Sequence, residues 1–121
     1  MNRFLKILFI LFLSFMLETS VSYSDQSKIK IGLLVPLSGE NAPLGEQIIK
    51  SIRMALNDID DNKIEFYPKD TASDPNVTLR SAKELEQMGI TLVIGPIFYK
   101  NLIYINEVKN ITFLSLTNKT L

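Results

Sequence analysis

Apolar positions along the chain alternate between two spacings, and each change of spacing marks an element. Ile29 to Val35 is an almost unbroken apolar run, the pattern of a strand buried on both faces, and Pro36 ends it. A polar, glycine-containing loop follows over 37–43. From Gly45 the spacing becomes helical, with Ile48, Ile52, Ala55, Leu56 and Ile59 on one face, until the Asn and Asp cluster at 57–62 favours a turn. Ile64 to Tyr67 alternates as a short strand near a sheet edge, which Pro68 is expected to end or skew. Asp74 and Pro75 together form a helix start, an N-cap acceptor followed by proline at the first helical position. Leu79, Ala82, Leu85 and Met88 make the apolar stripe of that helix, and Gly89 suits the left-handed position after its end. A third strand is expected over 90–94 and a fourth over 111–116. Between them, Phe98, Leu102, Ile105 and Val108 predict a helix over 97–109.

The order βαβαβαβ defines an α/β fold: a parallel sheet of four strands with three crossover helices. A parallel sheet needs cover on both faces. Three helices supply little of it, so the chain is expected to be part of a domain. Ligands of open parallel sheets sit outside the carboxyl ends of the strands, where neighbouring crossovers diverge. If the strand order is 2-1-3-4, the loops after the first and third strands flank such a crevice. Ser38, Gly39, Glu40 and Asn41 would line it after the first strand. Tyr99, Lys100 and Asn101 follow the third strand, and Ser115, Thr117 and Asn118 the fourth.

The amino terminus carries a different signal. Arg3 and Lys6 precede an apolar run from Ile7 to Leu17 broken by Ser14, and Ser22 and Ser24 offer small residues at the −3 and −1 positions of a cleavage site. Residues 1–24 read as a secretory signal peptide, too short in their apolar part for the roughly 20 residues of a spanning helix. No stable membrane span is expected after cleavage, and 25–121 would be the mature part.

Composition then narrows the chemistry. With no cysteine and no histidine, this chain lacks disulfides, thiol catalysis, Cys- or His-based zinc sites and Ser-His-Asp catalysis. A formal net charge of zero with scattered basic residues does not favour nucleic acid. Gly39 and Gly45 are spaced for neither a phosphate cradle nor a dinucleotide fingerprint. A phospho-acceptor receiver domain needs an aspartate where Val35 and Pro36 stand. Asp70 and Asp74 read as a turn-forming residue at a strand end and a helix cap, rather than as an acid–base pair. Sequons begin at Asn76, Asn110 and Asn118, in a chain rich enough in Asn, Ile, Lys and Thr for chance matches. No catalytic constellation, cofactor or metal is expected.

The run I-G-L-L-V-P-L-S-G-x-N-A-x-L-G over 31–45 resembles the opening of type 1 periplasmic binding proteins of the leucine/isoleucine/valine-binding family. Similar too are Asp70-Thr71 with Asp74-Pro75, the Ala-x-Glu-Leu at 82–85 and Leu92-Val93-Ile94-Gly95-Pro96. The resemblance implies a secreted two-lobed receptor that clamps a solute between its lobes, with this chain an incomplete amino-terminal lobe. It implies an ABC-type uptake system whose permease receives amino acids or related small polar solutes, without chemistry on the ligand. By resemblance, ligand-binding positions are Ser38, Leu44, Tyr99, Thr117 and Lys119; the family expects a serine where Tyr99 stands. The domain is also similar to penicillin-binding-protein activators, in Gly95-Pro96-Ile97 with Lys100-Asn101 and in the Leu114–Asn118 ending. That alternative implies a peptidoglycan synthase as partner.

Overall fold

The computed structural model describes residues 2–3, 27–59 and 62–117. Within them the chain runs β1 (Ile29–Val35), α1 (Ala42–Ile59), β2 (Ile64–Asp70), α2 (Pro75–Gln87), β3 (Leu92–Ile94) and β4 (Thr112–Leu114). All four strands are parallel, in the order β2-β1-β3-β4. The predicted signal peptide, the sequon at Asn118 and Lys119 lie outside the described residues, apart from Asn2 and Arg3.

Strand order dictates the layering. Right-handed crossovers that leave β1 in one direction and return past it in the other fall on opposite faces of the sheet. On the α2 side, Leu34, Val93, Ala82, Leu85 and Ile90 form a core with Val108 and Ile111, and Tyr67, Leu79, Ile105 and Phe113 pack around it. Gly32 belongs to this face: a Cβ there would meet Leu85 and Val93 side chains at 2.8 Å, so glycine lets α2 settle onto the sheet. The alternate positions Leu33 and Val35 point the other way and are also buried, which is why β1 reads as a continuous apolar run.

Three local expectations change. β2 runs through Pro68 to Asp70, with Pro68 opposite Leu33, because an edge strand leaves one side of the backbone unpaired and tolerates a missing N–H. α1 begins at Ala42, before Gly45. The crossover over 97–109 is no α-helix but two 3-10 turns, Tyr99–Leu102 and Ile105–Glu107. Its residues explain that: Ile, Tyr, Phe and Asn are weak helix formers, and the apolar spacing is met equally by turns with i to i+3 bonds. Those bonds are Asn101 N–H to Phe98 O at 3.0 Å and Val108 N–H to Ile105 O at 3.1 Å. The turns bury Asn101, whose carboxamide has no partner among the described residues.

Candidate functional site

The carboxyl ends of the four strands form one rim, stitched in two halves. On the β1–β2 half the organising group is the Asp70 carboxylate. Its Oδ1 accepts from the Leu37 N–H and the Ala72 N–H, each at 2.7 Å, and its Oδ2 accepts from the Ser38 hydroxyl at 2.6 Å. Burial pushes this carboxyl up, but the Ser38 hydroxyl and the N–H groups of Leu37, Ala72 and Ser38 outweigh it and hold it below the ordinary 3.8. Asp70 is therefore a carboxylate at neutral pH, and it ties the loop after β1 to the turn after β2.

Two further bonds reinforce the join. The Asn41 amide donates to Ser73 Oγ at 3.0 Å, and the Thr71 N–H donates to Val35 O at 3.0 Å. Below the turn, Asp74 caps α2 as its sequence predicts, accepting from Asn76 and Val77 N–H. The Ser81 hydroxyl donates to Asp70 O at 2.7 Å, which fixes α2 beneath the rim. Ala72 and Ser73 hold positive φ angles of 46° and 55°, so the turn that presents the N–H of Ala72 to Asp70 is a strained one.

The β3–β4 half is held by backbone groups. The Gly95 N–H donates to Leu114 O at 2.8 Å, and the Leu116 N–H donates to Pro96 O at 3.2 Å. The Ser115 hydroxyl also donates to Pro96 O, at 3.3 Å. Gly95, at φ +104°, lies against β1: a Cβ there would stand 3.2 Å from the Leu34 carbonyl carbon and closer to its oxygen. The two halves thus meet where β1 and β3 pair, the point at which the crossovers diverge.

Four of the five residues expected at the site lie in segments that follow the strands' carboxyl ends. Ser38 is exposed in the loop after β1, held by Asp70, and Leu44 lies 39% exposed in the first turn of α1. Tyr99 is 47% exposed at the start of the first 3-10 turn. Thr117 lies in the stretch after β4, where its N–H donates to Ser115 Oγ at 3.3 Å. Lys119 lies outside the described residues. Sequence reasoning missed the bridging role of Asp70, read there as a turn former. Its contact with Ser38 crosses 32 positions, and no local pattern reports that.

An open concavity of about 330 Å³ lies elsewhere, along the outer surface of α2 between Leu79, Arg80, Lys83 and Glu84. The Lys69 ammonium pairs there with Glu84 at 2.7 Å, and it is an ordinary solvated helix face. Among the described residues, no group of three or more acidic side chains is placed to hold a metal ion, and no helix is long and apolar enough to cross a membrane.

Residues 28–117 match the family described as periplasmic binding protein. The fold is that of a type 1 periplasmic binding protein. The leucine binding protein LivK of Thermotoga maritima superposes with a TM-score of 0.66 at 16% identity, over 75% of this chain and 28% of its own. An ABC transporter solute binding protein of Rhodopseudomonas palustris, in complex with 3,4-dihydroxybenzoic acid, gives 0.59 at 31% identity, over 62% of this chain and 22% of its own. The C-domain of LpoA from Haemophilus influenzae, a regulator of PBP1A, gives 0.60 at 27% identity, over 71% and 27%. The chain therefore spans about a quarter of each of these proteins.

Proposed function

The chain belongs to the periplasmic binding protein family, and from that premise we propose that it is the amino-terminal part of a solute-binding lobe serving an ABC-type uptake system. The ligand is a small polar solute, an amino acid or a related acid, held without chemistry at the strand carboxyl ends. The observation that carries this reading is the rim itself. The loops after β1 and β3 leave from neighbouring strands at the divergence point, and the β1 loop is locked by Asp70 before any ligand arrives. A preset loop lowers the ordering cost of binding. Ser38, Leu44, Tyr99, Thr117 and Lys119 are the proposed ligand-facing residues. Residues 1–24 are proposed to direct the chain to the periplasm. A second lobe would close over the rim by hinge motion.

The likeness to LpoA supports a second reading, an activator domain that docks on a peptidoglycan synthase. A thermal-shift screen against amino acids and hydroxylated benzoates separates the two. A receptor gains stability with the logarithm of solute concentration over Kd. An activator gains none and instead binds a purified synthase.

A further inference from the structure

We infer that Ser38 is a specificity-determining residue that takes a hydrogen-bond donor from the solute, an ammonium or hydroxyl group, and turns a carboxylate away. This rests on the reading of the rim as the solute site and adds the chemistry that one part of it selects.

The argument begins with the direction of one bond. An ionised carboxylate only accepts hydrogen bonds, whereas a hydroxyl carries one proton and two lone pairs. Ser38 Oγ stands 2.6 Å from Asp70 Oδ2, so the hydroxyl proton points into the carboxylate. Ser38 itself is exposed. What it presents to solvent is therefore lone pairs alone. The Asp70 charge lies directly behind them and strengthens the oxygen as an acceptor.

The two neighbouring helix starts do not offset this. A helix start commonly offers free N–H groups to an anion. Here, at the start of α1, the Ala42 N–H donates to Gly39 O at 3.2 Å, and the Leu44 and Gly45 N–H groups both donate to Asn41 O. Pro43 has no N–H. At α2, Pro75 has none either, Asn76 and Val77 donate to the Asp74 side chain, and Thr78 donates to Asp74 O. In the loop itself, the Leu37 N–H goes to Asp70 Oδ1. A carboxylate beside Ser38 would thus face a lone pair and a fixed negative charge, while an ammonium or hydroxyl would meet a ready acceptor.

The test uses the full chain and two probes of one skeleton, isobutylamine and isobutyrate, followed by amide NMR shifts. The amine is expected to move the Leu37 and Ser38 resonances saturably, with an apparent affinity about tenfold above that of isobutyrate at the same residues. Ser38→Ala keeps Asp70 and its charge but loses the oxygen, and is expected to abolish most of that ratio. In Asp70→Asn, the side-chain amide donates to Ser38, frees the hydroxyl proton to point outward and shifts the preference toward isobutyrate. Equal or tighter isobutyrate binding at Ser38 overturns the inference, as does a Ser38→Ala chain that keeps the full ratio. Shifts confined to Tyr99 and Thr117 overturn it while leaving the rim as a solute site. If neither probe moves any rim residue, both readings fall.

Discussion

Replacing Gly45 with alanine tests the packing of α1 on the rim, because two effects of opposite sign compete there. In an exposed helix the change stabilises by about 1 kcal/mol, since glycine is the poorer helix former. Gly45, however, is the one buried residue of α1 among its described side chains. An alanine Cβ would stand 2.8 Å from the Pro36 carbonyl carbon, nearer still to its oxygen, and 3.3 Å from Leu37 Cδ2. Ordinary contact begins at 3.4 Å, and the obstacle is the backbone of buried Pro36 just past the buried end of β1, which cannot rotate aside. Overpacking costs of about 1–3 kcal/mol, and more against rigid atoms, exceed the propensity gain. The expected net loss is roughly 2 kcal/mol, or a fall in Tm of about 8–16 °C for a domain of this size. Urea denaturation followed by circular dichroism measures it, with Ser51→Ala on the exposed face as a control that holds or slightly gains stability. A Gly45→Ala chain as stable as the parent would refute the close seating of α1 against Pro36.

Other outcomes follow from the same geometry. Leu85→Ala removes a fully buried side chain from the core and is expected to cost about 2–5 kcal/mol in the same denaturation experiment. Asp74→Ala leaves the Asn76 and Val77 N–H groups without their cap and is expected to cost about 1 kcal/mol, with fraying of the first turn of α2 visible in amide exchange. The Asp70 carboxyl sits below 3.8, so the folded chain binds fewer protons there than the unfolded one, and its contribution is complete above that value. As pH falls through the lowered value the contribution is lost. The Leu37 and Ala72 amide resonances should then titrate together in acid, and no titration of these two amides below pH 4 would contradict the latch.

The sheet was legible in the sequence because burial on both faces leaves β1 apolar from Ile31 to Val35, and because Asp74-Pro75 is a strong local start signal. Apolar spacing could not tell an α-helix from the 3-10 turns at Tyr99–Leu102 and Ile105–Glu107, since both place every third or fourth residue inward. Pro68 misled because the unpaired side of an edge strand tolerates its missing N–H, so β2 runs through it to Asp70. At the site, the loop after β1 was legible as a place, and Ser38 within it. What orients Ser38 was not. Asp70 stands 32 positions away and meets it only because β1 and β2 pair in register from Ile29 with Ile64 to Val35 with Asp70.

Hydrogen exchange of the full chain, with and without a solute that raises its Tm, tests the central claim most directly. The account predicts slowed exchange at the rim, over 37–41, 95–102 and 115–117, with the outer face of α2 unchanged. Slowing confined to α2, or none at the loops after β1 and β3, would contradict a solute site at the strand carboxyl ends.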